Sequence, residues 1–261
     1  MIEPVYEAIG YRFDSCRVYL KSHSCLPLIF IVSVAGLIPG RSLLSAPEKP
    51  RRNTFSIVAY DPAREEWGVG VASKVLAVGA GTPWGQAGAG AIATQAEANV
   101  TYGPRGLALL ARGKTAAEVV TLLTEADAGR ATRQLGIVDA RGVPAHFTGK
   151  GCDPWAGAKT GKNHVCLGNL LAGPEVVQKM SRAFENSKGP LAWRIIAALK
   201  AGEQAGGDKR GKQSAAILVV RAKGGYLGLD DRALDFRVDD HQNPLQELAR
   251  ILALELAPPE D

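Results

Sequence analysis

The sequence predicts an α+β fold in which two antiparallel sheets stack between layers of helix. Three observations carry this. Segments with period-2 alternation recur in neighbouring pairs joined by turn residues, and helical patterns come in blocks rather than alternating singly with strands. A final strand then runs directly into a final helix.

The first pair spans residues 54–74 (TFSIVAYDPAREEWGVGVASK). Phe55, Ile57 and Ala59 alternate with Ser56, Val58 and Tyr60; Asp61 and Pro62 supply turn chemistry, and Trp67, Val69 and Val71 resume the alternation. Folding this hairpin about Ala63 and Arg64 brings Thr54 opposite Ser73 and Lys74. Two hydroxyls and an ammonium then meet at one end of a sheet. Thr54 becomes a candidate nucleophile if the chain is cut just before it, because a free α-amine with a pKa near about 8 can act as base for its own hydroxyl. The structural alternative is a β-branched residue opening an edge strand.

Residues 77–90, rich in Gly and Ala, read as a loop, and residues 91–98 (AIATQAEA) as a strand that points Gln95 and Glu97 to one face. Gly103 and Pro104 open a helix through Leu110. Thr115, with Glu118 three residues on, forms a capping box for a second helix carrying Val119, Leu122 and Leu123. Strands return at residues 134–139 and 143–148, separated by a turn at Ala140, Arg141 and Gly142. Residues 149–162 read as loop and residues 164–171 as strand, followed by helices that Pro174 and Pro190 open. The loop 206–214 (GGDKRGKQS) ends in the apolar strand 215–220 and puts Asp208, Arg210 and Gln213 at a sheet end. It lacks the spacing of a phosphate-cradling loop. A strand at residues 234–238 stops at Asp239, Asp240 and His241, which could bind a metal; Asn243 and Pro244 with the periodic Leu245, Leu248, Ile251 and Leu252 point instead to a helix capped by Asp240 or Asn243. His146 and His164 fall on strands, as packed or exposed residues.

Composition narrows the function. The net charge of +5 is concentrated in residues 1–53, with seven Lys/Arg against four Asp/Glu; the remainder is near balance, and no basic stripe with interleaved aromatics follows. That argues against a nucleic-acid partner. Cys152 and Cys166 match no zinc-ligand spacing, which leaves two ordinary thiols or a disulfide. No metal and no cofactor is called for.

Residues 1–46 read as a leader: Arg12, Arg17 and Lys21 precede the apolar run 26–38, then Pro39 and Gly40. A run of thirteen residues is short for roughly 30 Å of hydrocarbon, and the order of basic, apolar and small residues is that of a secretory signal. Gly40-Arg41-Ser42 and Ala46 offer cleavage positions. Residues 47–53 complete a polar, proline-bearing linker, and residues 54–261 form the domain. The expectation is an exported protein, periplasmic or secreted, or one anchored by an uncleaved leader. Membrane contact is expected through the leader only. Signal removal alone would leave residues in front of Thr54, so a second or autocatalytic cut after Asn53 is required.

The segments TFSIVAYDP, VGVASK, AIATQAEANVTYGPRGLALL, GNLLAGPEVV, GGDKRGKQSAAILVV and FRVDDH, in that order, resemble the bacterial domain-of-unknown-function family 1028 (DUF1028), assigned to the N-terminal-nucleophile (Ntn) hydrolase superfamily. The resemblance implies a four-layer αββα sandwich with a threonine opening the first strand, Thr54 here. Many members begin with Met followed by TFSI; in this chain fifty-three residues precede the threonine. Proteasome-like members of the superfamily carry an aspartate where Ala72 stands, while Ser73 and Lys74 are retained. The resemblance further implies oxyanion donors at Gln95 or Asn99, a substrate carboxylate bound by Arg210, and orienting groups at Asp208, Gln213 and Ser214. The expected function is hydrolysis of an amide or peptide-like bond in a small-molecule or peptide substrate. The alternative is a non-catalytic small-ligand-binding protein of the same fold. A homo-oligomer is expected by family analogy, through pairing of edge strands.

Overall fold

The computed structural model describes residues 54–259; the leader and linker assigned above lie outside them. The first two strands are β1 (Thr54–Asp61) and β2 (Glu66–Ser73), followed by the short β3 (Pro83–Gln86) and then β4 (Gly90–Ala96). Helices α1 (Tyr102–Leu110) and α2 (Ala116–Glu125) lead to β5 (Arg133–Asp139), β6 (Pro144–Thr148), β7 (Gly157–Gly161) and β8 (His164–Asn169). Then come α3 (Glu175–Asn186), α4 (Leu191–Gln204), β9 (Ser214–Val220), β10 (Arg232–Val238) and α5 (Pro244–Glu255). The fold is mixed α+β, with two antiparallel sheets in the orders β10-β9-β2-β1-β8-β7 and β3-β4-β5-β6.

Alternation along each strand gives the interior three main cores, with a small fourth cluster of Val71, Val78 and Ala216. Between the sheets, Val58, Trp67, Val69, Val165, Leu167, Leu218 and Val220 of the first meet Ala91, Ala93 and Val138 of the second. The opposite face of the six-stranded sheet, with Phe55, Ile57, Cys166 and Ile217, packs on α3, α4 and α5. The outer face of the second sheet, with Ile92, Leu135 and Ile137, packs on α1 and α2. Strands β1 and β2 are therefore covered on both sides, which is why nearly every residue of each is buried.

Local chemistry follows the sequence closely at several ends. Thr115 and Glu118 form the expected capping box. Asp139 ties the β5–β6 turn to this helix: Oδ1 accepts from the Arg141 and Val143 N–H groups and Oδ2 from the Ala116 N–H. Asn243 occupies the N-cap of α5 without a side-chain cap bond, Pro244 being the first helical residue. Two strands escape the period-2 reading. β3 and β7 are short and carry no apolar alternation; pairing with β4 and β8 defines them. The strand expected at residues 91–98 ends at Ala96, whose φ of 65° turns the chain, so Glu97 is exposed and does not share the face of Gln95. Cys152 and Cys166 are free thiols, Cys166 in the core under the helices.

His164 is buried, its Nδ1 on the Lys162 carbonyl (3.0 Å) and its Nε2 on Ser181 Oγ (2.8 Å). A carbonyl only accepts, so Nδ1 carries the proton and Nε2 accepts from Ser181. Burial pushes this imidazole below its ordinary pKa. The unfolded chain then binds the extra proton more readily, and folding stability rises with pH. The His164 contribution is expected to be complete above about pH 6.5 and to fade as the pH falls through the lowered folded-state value. Urea unfolding from pH 7.5 to 5 checks this. His164→Asn should reduce the slope, leaving the part from His146, whose pKa burial also lowers.

Gly68 and Gly70 of β2 let α4 lie directly on the sheet. A Cβ at Gly70 would stand 2.3 Å from Ile195 Cγ2 and 2.9 Å from Leu199 Cδ1. Gly70→Ala is expected to destabilise by about 1–3 kcal/mol through overpacking, seen as a lower urea midpoint with an unchanged m-value.

Candidate functional site

One end of the inter-sheet layer is polar where the rest is apolar. Register sets Thr54 opposite Ser73 on one side and Asn169 on the other, with Ser214 opposite Ser73 one strand further on. Thr54 and Ser56 share the parity of Val58, Ser73 that of Val69, Asn169 that of Leu167, and Ser214 that of Leu218. All five side chains therefore lie on the face of the six-stranded sheet opposite α3 and α4, with Ser214 under the turn after β2. From the second sheet Gln95 and Gln134, themselves register partners, share the parity of Ala93 and Val138 and face back. The cluster is buried throughout, Thr54 being 1% exposed.

Its hydrogen bonds fix every amide. Gln134 Nε2 faces the Gly168 carbonyl at 2.8 Å, the Gly157 carbonyl at 3.2 Å and Thr148 Oγ1 at 3.0 Å. Main-chain carbonyls only accept, so the nitrogen must lie on that side and Oε1 on the other. Gln134 Oε1 then accepts from Gln95 Nε2 (2.8 Å) and Asn169 Nδ2 (3.0 Å). Gln95 Nε2 also donates to the Thr54 carbonyl at 3.2 Å, and Gln95 Oε1 accepts from Ser56 Oγ. The Thr54 hydroxyl donates to Ser73 Oγ at 3.3 Å. Among the described residues, Asn169 Oδ1 is buried without a hydrogen-bond partner.

The remaining sequence candidates sort around this cluster. Gln95 belongs to it, but its amide hydrogens are committed to Thr54 and Gln134. It holds the main chain of Thr54 rather than standing open to an oxyanion. Asn99 lies elsewhere: its amide donates to Asp127, which also receives Tyr102 and Arg133. Burial alone would raise the Asp127 carboxyl, but these donors and the Gly129 N–H outweigh it and hold the group well below the usual carboxylate range. That cluster pins the turn after α2.

Beyond Ser73 the strand ends meet the 206–214 loop. Asp208 has a buried carboxylate that accepts from the Lys74 N–H and pairs with Arg210 at 2.7 Å. Arg210 is thus engaged by Asp208 as well as reaching the surface. Ser214 Oγ donates to the Val75 carbonyl and accepts from the Val78 N–H, fixing the turn after β2. Lys74 is exposed and reaches the Lys212 carbonyl at 3.1 Å, on the wall of an open cleft of about 770 Å³ that Gln213, Asp240 and His241 also line. In that cleft Gln213 donates to Asp240 and the Asn243 N–H donates to His241 Nδ1. Among the described residues no group of three His, Cys, Asp or Glu side chains is placed to hold a metal, so Asp239, Asp240 and His241 do not form the ligand set weighed from sequence.

Sequence reasoning thus brings together Thr54, Ser73 and Gln95 at the cluster, with Lys74, Asp208, Arg210, Gln213 and Ser214 along its rim. It missed Ser56, Gln134 and Asn169. Their signal was parity: each is polar at a position whose strand neighbours two residues away are committed to an apolar interior. Gln134→Leu leaves Gln95 Nε2 and Asn169 Nδ2 short of an acceptor and two main-chain carbonyls short of a donor. It is expected to cost about 2–5 kcal/mol, from one to three kcal/mol for each unsatisfied buried group with partial relaxation, read from the urea midpoint.

Comparison with known proteins places this geometry in a family without assigning it a chemistry. No curated protein matches the chain. The crystal structure of protein SPO2555 from Silicibacter pomeroyi, described as belonging to DUF1028, superposes with a TM-score of 0.72 at 32% sequence identity, covering 79% of this chain and 90% of that one. The model of the family of unknown function DUF1028 matches residues 54–248, beginning at the threonine that opens β1, and the chain belongs to that family.

Proposed function

We propose that this protein is an Ntn-type hydrolase of amide or peptide-like bonds, with Thr54 as nucleophile once the chain begins there. The order of cores, helices on sheet on sheet on helices, supports reading the fold as the four-layer αββα sandwich of that superfamily. The observation that carries the reading is the position of Thr54. It opens a central strand, its hydroxyl bonded to Ser73 and its carbonyl held by Gln95, at the polar end of the layer between two sheets.

In the proposed reaction the Thr54 hydroxyl attacks the substrate carbonyl while the α-amine takes its proton. Collapse of the tetrahedral adduct passes that proton to the leaving nitrogen and leaves an ester on Thr54. Water then attacks the ester, the amine accepts the water's proton, and the acid departs with the hydroxyl restored. With Asn53 attached, the base is an amide nitrogen and the sequence of steps does not start. Export, removal of residues 1–53, a small-molecule or peptide substrate and homo-oligomer formation through an edge strand belong to the same proposal. Among the described residues no helix is long and apolar enough to cross a membrane.

The second reading, a ligand-binding protein without turnover, draws on Lys74, which faces the open cleft rather than Thr54. One experiment separates the two. A chain starting at Thr54, made by cleaving a fusion immediately before it, is incubated with a β-lactone and examined by intact mass and peptide mapping. The hydrolase reading expects one acyl adduct on Thr54, and none in Thr54→Ala or in a chain that retains Asn53. Absence of the adduct from the correctly folded Thr54 chain would overturn it. Intact mass of the protein from an exporting host then tests whether the natural mature chain begins at Thr54.

A further inference from the structure

Resting on that reading, we infer that Asn169 positions the α-amine of a chain beginning at Thr54, its Oδ1 accepting a hydrogen from that nitrogen. The acceptor is fully buried, without a partner among the described residues, and cannot be exchanged for the amide nitrogen. Turning the Asn169 amide over would set its oxygen against Gln134 Oε1, whose own orientation two main-chain carbonyls fix. A buried acceptor left open in this way is costly unless a donor arrives.

The backbone ladder says where the donor comes from. The Tyr60 N–H donates to the Asn163 carbonyl, on the β8 side of β1. Because the direction of the main-chain groups alternates along a strand, the nitrogens of Val58, Ser56 and Thr54 point the same way. Thr54 N is therefore on the edge of β1 that faces its register partner Asn169. As part of a peptide that nitrogen carries one hydrogen, which the ladder uses. As a neutral amine it carries two and a lone pair. One hydrogen on the Asn169 main chain and one on its side chain leave the lone pair for the threonine hydroxyl, the orientation a base requires.

The side chains sharing this end of the layer are Ser73 from β2, Asn169 from β8, and Gln95 and Gln134 from β4 and β5, all uncharged. The charged residues next to this end in the chain or the ladder are Lys74, held on the Lys212 carbonyl, the Asp208–Arg210 pair, and on the facing sheet Arg133, paired with Asp127 and Glu97. A change at Asn169 should therefore be read directly in the amine.

The test is the pKa of the Thr54 amine, followed by nitrogen NMR of a ¹⁵N-threonine-labelled chain that starts at Thr54, with Asn169→Leu and Asn169→Asp beside it. An acceptor bonded to the amine favours its protonated form, so removing it in Asn169→Leu should lower the pKa by about one unit, and a carboxylate in Asn169→Asp should raise it by about as much. A pKa within about 0.3 unit of wild type in the folded variants overturns the inference; should the leucine variant fail to fold, the aspartate variant decides alone. The measurement needs no substrate. A shift without a lactone adduct overturns the hydrolase reading and leaves this one standing, and an adduct without a shift does the reverse.

Discussion

The structure depends on the amide bridge that joins Gln95 and Gln134 of one sheet to Thr54 and Asn169 of the other. Two stacked sheets lie about 10 Å apart, a gap that apolar side chains fill from both faces. A polar group buried in that gap needs a hydrogen-bond partner, on a neighbouring strand or on the facing sheet. Serine and threonine on β1 and β2 are too short to cross it. Glutamine, with a donor and an acceptor at the end of a three-bond reach, is not. Ser56, Thr54 and Asn169 can be buried at this end because two glutamines opposite satisfy most of what they expose.

The same bridge explains the rigidity of the site. Thr54 is held by its neighbours in the ladder, by Gln95 on its carbonyl and by Ser73 at its hydroxyl. From the other side of the sheet α4 packs on β2 at Gly68 and Gly70, where a Cβ would clash with the Ile195 side chain. The start of β1 is thus packed from both faces, with its hydroxyl directed at Ser73. Under the proposed reading, a hydroxyl that attacks a bound carbonyl gains from such preorganisation.

How far the sequence foretold this differs between fold and site. The hairpin 54–74, the capping box at Thr115 and the β5–β6 turn were legible because each rests on local chemistry: alternation, a side chain reaching three residues on, a glycine in a turn. β3 and β7 were not, since Pro83–Gln86 and Gly157–Gly161 become strands through partners distant in sequence. Glu97 was assigned to the face of Gln95 by counting in twos, and the count fails at Ala96, where a positive φ that no sequence rule requires of alanine turns the chain. Thr54, Ser73 and Gln95 could be proposed because their residue types suggest chemistry. Gln134 and Asn169 carry no such suggestion; only the facing of two sheets, a long-range fact, gives them a role.

The two ends of β1 show why the polar cluster at Thr54 reads as unfinished rather than merely structural. At the far end Trp67 stacks on Tyr60 and donates to the Asp139 carbonyl, while His164 is satisfied on both nitrogens by Lys162 and Ser181. The polar atom left over there is Arg194 Nε, and its guanidinium has other support: it lies 4.3 Å from the Phe184 ring centroid and 3.9 Å from Asp61. A delocalised cation tolerates one missing bond in such a place. Asn169 Oδ1 has no comparable relief, because a neutral amide oxygen is stabilised by donors alone. The surplus at one end is absorbed by stacking and charge. At the other it is an open acceptor beside the strand residue whose nitrogen would gain hydrogens if the chain were cut.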